Sequence, residues 1–181
     1  MKITKMKKVT KGQRGITLIE LIIAIAIAGL ITGGITFAIM QILTINTRAS
    51  NHMVAVRQVQ QAGKEVSKDA LQSQPNAINA SPSGGNFLIL GWTDWEGQEN
   101  VVVYALNSTP SSPDLRRLER THTVSFNGTI QSTAHSVVAE YIDPDQTSFV
   151  PAGDAFIFTV TATVGDQSET RIYEIQPRPD S

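Results

Sequence analysis

From Ile16 to Ile45 the chain is a nearly unbroken apolar run, ITLIELIIAIAIAGLITGGITFAIMQILTI, in which Glu20 is the only ionisable residue. At 1.5 Å per residue such a run reaches roughly 45 Å as a helix, beyond the about 30 Å hydrocarbon core of a bilayer. It is therefore long enough to cross a membrane and project from it. After Ile45 polarity rises, but a helical period persists. Ala49, Met53, Val56, Val59, Ala62 or Gly63, Val66 and Ala70 recur at three- and four-residue steps, with Asn51, Arg57, Gln58, Gln61, Lys64 and Lys68 opposite. The pattern predicts one rod running to about Leu71, its outer half amphipathic and packed on a sheet. A coiled coil also fits the period, but Val and Ala make a thin seam.

The segment QSQPNAINASPSGGN, Gln72 to Asn86, is loop by composition, broken by Pro75, Pro82 and Gly84-Gly85. Short β-type runs follow at Asn86–Trp92, Val101–Leu106, Leu115–Val124, Val137–Tyr141, Ala155–Val164 and Thr170–Gln176. The clearest alternates around Phe156, Phe158, Val160 and Ala162, then meets Gly165-Asp166, a hairpin signal. Thr133–Tyr141 fits a short helix as well as a strand. The expected fold is α+β: a long N-terminal helix, membrane-spanning then amphipathic, on a small antiparallel β-sheet head. The expected divisions are a basic leader at 1–15, a transmembrane and assembly helix at 16–45, its amphipathic continuation at 46–72 and an extracytoplasmic β-rich head at 73–181.

Charge sharpens this picture. The formal net charge of −1 hides six positive residues and no acid in 1–15, against nine basic and sixteen acidic residues from Ile16 onward. A basic cluster before the apolar run, with none directly after it, predicts a cytoplasmic N-terminus and a head outside the cytoplasm. An ordinary secretory signal would have an apolar stretch of about 7–15 residues followed by a small-residue cleavage site. Here the small-x-small triplets Ala24-Ile25-Ala26 and Ala26-Ile27-Ala28 lie inside a run that continues to Ile45. A carboxylate in a spanning helix costs roughly 2.5–3.5 kcal/mol at the centre, and less near the edge where Glu20 sits. Glu20 either snorkels to the headgroups or awaits a cationic partner from another chain.

Residues 11–30, KGQRGITLIELIIAIAIAGL, resemble the prepilin leader and cleavage motif shared by type IV pilins and type II secretion pseudopilins. Gly15 matches the residue before the cut, Ile16 the new N-terminus and Glu20 the fifth mature residue. Ile16 departs from the more usual Phe or Met. The resemblance implies cleavage between Gly15 and Ile16 by a membrane prepilin peptidase and N-methylation of the Ile16 amine. It further implies pairing of that amine with Glu20 of a neighbouring subunit. Such a pair sets register more than it adds stability. Gly29 and Gly33 form a small-xxx-small spacing for close helix packing. Gly33-Gly34 lowers helix propensity by about 1 kcal/mol per residue, a candidate hinge.

The head order VVVYAL, LRRLER, VSFNG, AHSVVAEYI is similar to minor pilins and J-type minor pseudopilins, and no functional residue is carried over from that likeness. The chain has no cysteine, which excludes disulfides, thiolate zinc sites and Cys nucleophiles. It also removes the C-terminal disulfide loop of many major pilins. His52, His122 and His135 lack metal spacing, and Asp143-Pro144-Asp145 with Asp154 reads as a solvated acidic turn, not a calcium loop. With no nucleophile elbow, P-loop or dinucleotide fingerprint, no enzyme activity, cofactor or metal is expected. Arg116, Arg117 and Arg120 with Glu119 read as strand-face salt bridges, and nucleic acid is not an expected partner. Trp92 and Trp95 read as core or loop anchors.

The function read from these residues is a structural subunit, a minor pilin or pseudopilin, of a type IV pilus or type II secretion filament. The alternatives are a major pilin and a membrane-anchored DNA-uptake or adhesion tip module. The resemblance implies as partners other pilin or pseudopilin subunits, the prepilin peptidase, the inner-membrane assembly platform and membrane lipid. The expected location is the cytoplasmic (inner) membrane, crossed once, and then the filament.

Overall fold

The computed structural model describes residues 15–81, 85–109 and 112–177. Positions 1–14 of the basic leader, and the loop breakers Pro82 and Gly84, lie outside the described residues. Two compact units divide the chain, one up to Ile45 and one from Asn46 onward.

Helix α1 runs from Leu18 to Gln72 and contributes to both units. In the first unit every helical residue is exposed. By length and composition α1 qualifies to cross a membrane. Threonines within this apolar stretch satisfy themselves. Thr32, Thr36 and Thr44 donate their hydroxyls to the carbonyls of Ala28, Thr32 and Met40 at 2.8–2.9 Å, so none presents a free hydroxyl donor to lipid.

In the second unit, α1 packs on a seven-stranded antiparallel sheet. Strands β1 (Asn86–Thr93), β2 (Glu99–Thr109), β3 (Ser112–Phe126) and β4 (Thr129–Ile142) form a meander. Strand β6 (Ala155–Val164) joins β4 at Ile142↔Ala162 and pairs with both β5 (Ser148–Ala152) and β7 (Gln167–Ile175). The turns carry the residues their geometry requires. Asn127 and Gly128 have φ of 50° and 75° between the paired Phe126 and Thr129, which suits an Asn-Gly hairpin. Gly165 (φ 60°) and Asp166 close the β6–β7 hairpin.

The core lies between the helix and the inner sheet face. Ala55, Val59, Ala62, Val66 and Ala70 meet Leu88, Leu90, Val102, Tyr104, Leu118, Phe158 and Val160, all fully buried. Small helix residues let the backbone approach closely. At Gly63 a β-carbon would fall within the ring of Tyr173, whose hydroxyl donates to the Val59 carbonyl at 3.1 Å.

Several expectations need correction. The buried stripe begins at Ala55, whereas Ala49 and Met53 are exposed and Val56 is only partly covered. Residues 133–141 belong to strand β4, not to a helix; exposure through Val137, then two adjacent buried residues, Val138 and Ala139, leaves little alternation to read. Strand β5 is an addition. Only Phe149 of its residues is buried, and Pro151 weakens its sequence signal. The loop after α1 contains a short 3₁₀ turn, Pro75–Ala77, and a bridge between Asn79 and Ile89.

Candidate functional site

The start of α1 is a reciprocal cap. Thr17 precedes the first helical residue, and its hydroxyl accepts the Glu20 N–H at 3.3 Å. The Glu20 carboxylate reaches back to the Thr17 N–H at 3.4 Å and its hydroxyl at 3.2 Å. This is the capping-box arrangement, which satisfies orphan helix donors with side chains three residues apart. The signal for it, Thr-x-x-Glu, stands in the sequence beside the more conspicuous apolar run. Glu20 is exposed, and among the described residues it has no cationic partner. Gly15 and Ile16 precede the helix, both exposed, with open space around Gly15.

Gly29, Gly33 and Gly34 lie within unbroken helix, each with room for a β-carbon. Gly29 and Gly33 line a shallow groove with Ala28, Thr32 and Thr36. The small side chains form the floor of this groove, and Ile25, Phe37 and Met40 also line it.

In the head the polar site is buried. Asp69 is 1% exposed, on the face of α1 that carries Val66 and Ala70. Its carboxylate accepts two hydrogen bonds from Arg120, at 2.7 Å from Nε and 3.1 Å from Nη2. It accepts a third from the Tyr104 hydroxyl at 2.6 Å. Tyr104 and Arg120 are cross-strand partners on β2 and β3, so sheet register delivers both donors to one acid. Burial raises the Tyr104 pKa, and the adjacent Asp69 charge raises it further. The hydrogen bond to Asp69 raises the Arg120 pKa. The tyrosine therefore stays neutral and the guanidinium charged. An acid at a core-facing helical position was the available signal for this cluster.

Several of the remaining candidates find local partners, while His52 lies exposed on α1. Arg116 donates to the Pro113 and Leu115 carbonyls, and Arg117 pairs with Glu119 at 2.6 Å. The strand-face salt bridges expected of this cluster are present at Arg117–Glu119, while Arg120 turns inward. His122 stacks on Trp92 with centroids 5.7 Å apart, and its Nε2 lies 2.9 Å from the Asn100 Oδ1. Burial lowers the His122 pKa, and the Arg120 charge adds to the effect. His135 contacts Thr121 through Nδ1. Asp143 accepts the N–H groups of Asp145 and Gln146, as a solvated turn does. Trp92 is half-buried, but Trp95 is 91% exposed. Trp95 is no core anchor.

Residues 10–36 match the family model described as the prokaryotic N-terminal methylation motif. That pilin-type family is one of structural subunits, and its motif implies processing by a prepilin peptidase and assembly with other pilin subunits. No curated protein and no solved structure matches the chain. With this motif at the start of a long apolar helix and an antiparallel sheet behind it, the chain fits the type IV pilin-like family.

Proposed function

We propose that this chain is a minor pilin or pseudopilin, a structural subunit of a type IV pilus or type II secretion filament. It is anchored by residues 16–45, with the N-terminus cytoplasmic and the head on the opposite side. The prepilin peptidase cuts between Gly15 and Ile16, and the new Ile16 amine is methylated. That amine, still cationic, pairs with Glu20 of a neighbouring subunit at the assembly platform, while Gly29 and Gly33 admit close helix contact. Gly33-Gly34 serves as a point of local unwinding within the filament.

The observation that carries this reading is an exposed carboxylate in an apolar helix, inside the matched methylation motif and without a cation among the described residues. A carboxylate that a bilayer or a helix bundle would desolvate calls for a cationic partner, and the amine freed at Ile16 of a neighbouring copy is the one the motif supplies. The test is the N-terminal mass of the chain recovered from membranes of its native host. A start at Ile16 is expected. A chain still beginning at Met1, while the peptidase processes other substrates, would leave an ordinary signal anchor.

A further inference from the structure

Two grooves of opposite charge meet at the C-terminal end of α1. The first, about 1280 Å³, has Asp94 and Asp154 as its charged lining residues among the described residues. At its edge stands Trp95, held out by a turn in which Asp94 accepts the N–H groups of Glu96 and Gln98 at 3.0 and 2.8 Å. The second groove, about 760 Å³, is lined by Lys64, Lys68 and Arg171 and by no acid. Arg171 also meets Glu169 at 3.4 Å, whereas Lys64 and Lys68 are exposed on the helix. Leu71 and Gln72 line both grooves, and Leu71 is 53% exposed.

The surface therefore has an exposed apolar centre at Leu71, with the acidic groove and Trp95 on one side and the basic groove on the other. Such a patch is complementary to itself after a two-fold rotation. Each Trp95, bracketed by carboxylates, then faces the lysines of the opposite copy, and an indole face attracts an ammonium group as well as offering apolar area. Nine basic and fifteen acidic residues from Asn46 onward make the heads of two copies repel one another over most approaches, whether or not the leader is removed. Here the charges are arranged to attract. We infer that this surface pairs two copies of the chain reciprocally, independently of how the N-terminus is processed.

The chain has no cysteine, so single-cysteine trapping reads this contact directly. In full-length chain solubilised in detergent, Gln72→Cys, near the expected two-fold axis, should form disulfide-linked dimers under mild oxidation. Gln131→Cys, exposed on β4, should not. Adding Trp95→Ala or Lys68→Glu should cut the linked fraction about tenfold, as loss of a central anchor or contact charge does, and Lys68→Glu with Asp154→Lys should restore it. Neither Trp95 nor Lys68 is buried, so these variants keep the fold, which circular dichroism verifies. The inference is overturned if Gln72→Cys links no more than Gln131→Cys, or if linking persists undiminished in both variants. It also falls if the linked product has the mass of a different protein. Retention of the chain on a duplex DNA fragment, without dimer trapping, would assign the basic groove to nucleic acid instead.

Discussion

Asp69 and Arg120 lie 51 residues apart in sequence, and their side chains meet through two hydrogen bonds with only 2% and 16% of each exposed. The pair ties the helix to the centre of the sheet at one register. A slip of α1 by one residue would carry Asp69 away from both donors and leave three polar groups buried without partners.

Removing one member should therefore cost more than the pair contributes. Asp69→Ala is expected to lower the unfolding free energy by about 3–5 kcal/mol, because Arg120 is left charged and uncompensated. A combined Asp69→Leu, Arg120→Leu and Tyr104→Phe variant should recover much of that loss. Denaturant unfolding of the detergent-solubilised chain checks both, and equal stability of Asp69→Ala and wild type would refute this account.

Gly63 tests the close approach of helix and sheet. Gly63→Ala drives a methyl group into the Tyr173 ring, and overpacking of this kind costs about 1–3 kcal/mol. Adding Tyr173→Ala should relieve the clash although it creates a cavity, so the second change should cost less in the Gly63→Ala background than alone. A double-mutant cycle measures that coupling.

His122 gives the head a pH dependence with a definite sign. Its folded pKa lies below the ordinary value, so the unfolded chain binds the proton more readily. The stabilisation is present in full above the unfolded pKa of about 6.5 and is lost as pH falls through it toward the folded value. Imidazole resonances should place the His122 midpoint below the ordinary histidine value of about 6.5. In His122→Gln the part of the stability decline that begins near pH 6.5 should disappear.

Glu20 separates cleavage from assembly. Glu20→Gln keeps a side-chain oxygen for the cap but removes the charge. Expected is an N-terminus still processed at Ile16, with incorporation into filaments reduced at least about tenfold, as for the loss of a desolvated charge pair. Mass spectrometry of membranes and of sheared filaments reads the two outcomes separately. Normal incorporation would remove Glu20 from the assembly contact.

What could be read in advance follows from how periodic each segment is. The inner half of helix α1 was plain from its unbroken apolar run, while its outer half and strand β6 were plain because one face of each meets the core, Phe156, Phe158, Val160 and Ala162 repeating at two. Strand β4 was ambiguous because Thr129 to Val137 is exposed throughout, so no burial imposes alternation. Its Asn127-Gly128 turn was the better signal. The Asp69 cluster was hidden for a different reason. Its acid, tyrosine and arginine come from three elements, and only the pairing of Tyr104 with Arg120 brings them together. The exposure of Trp95 follows from the turn that Asp94 builds, which composition does not reveal.

Among the described residues, the cap at the start of α1 draws only on Thr17 and Glu20. Both lie on the retained side of the Gly15–Ile16 bond, and the N–H of Thr17 remains an ordinary amide after that bond is cut. Under the proposed processing, precursor and processed chain can thus share one helix start. On that proposal the timing of cleavage is free to be set by encounter with the peptidase, since an uncut subunit already holds the helix start it will need.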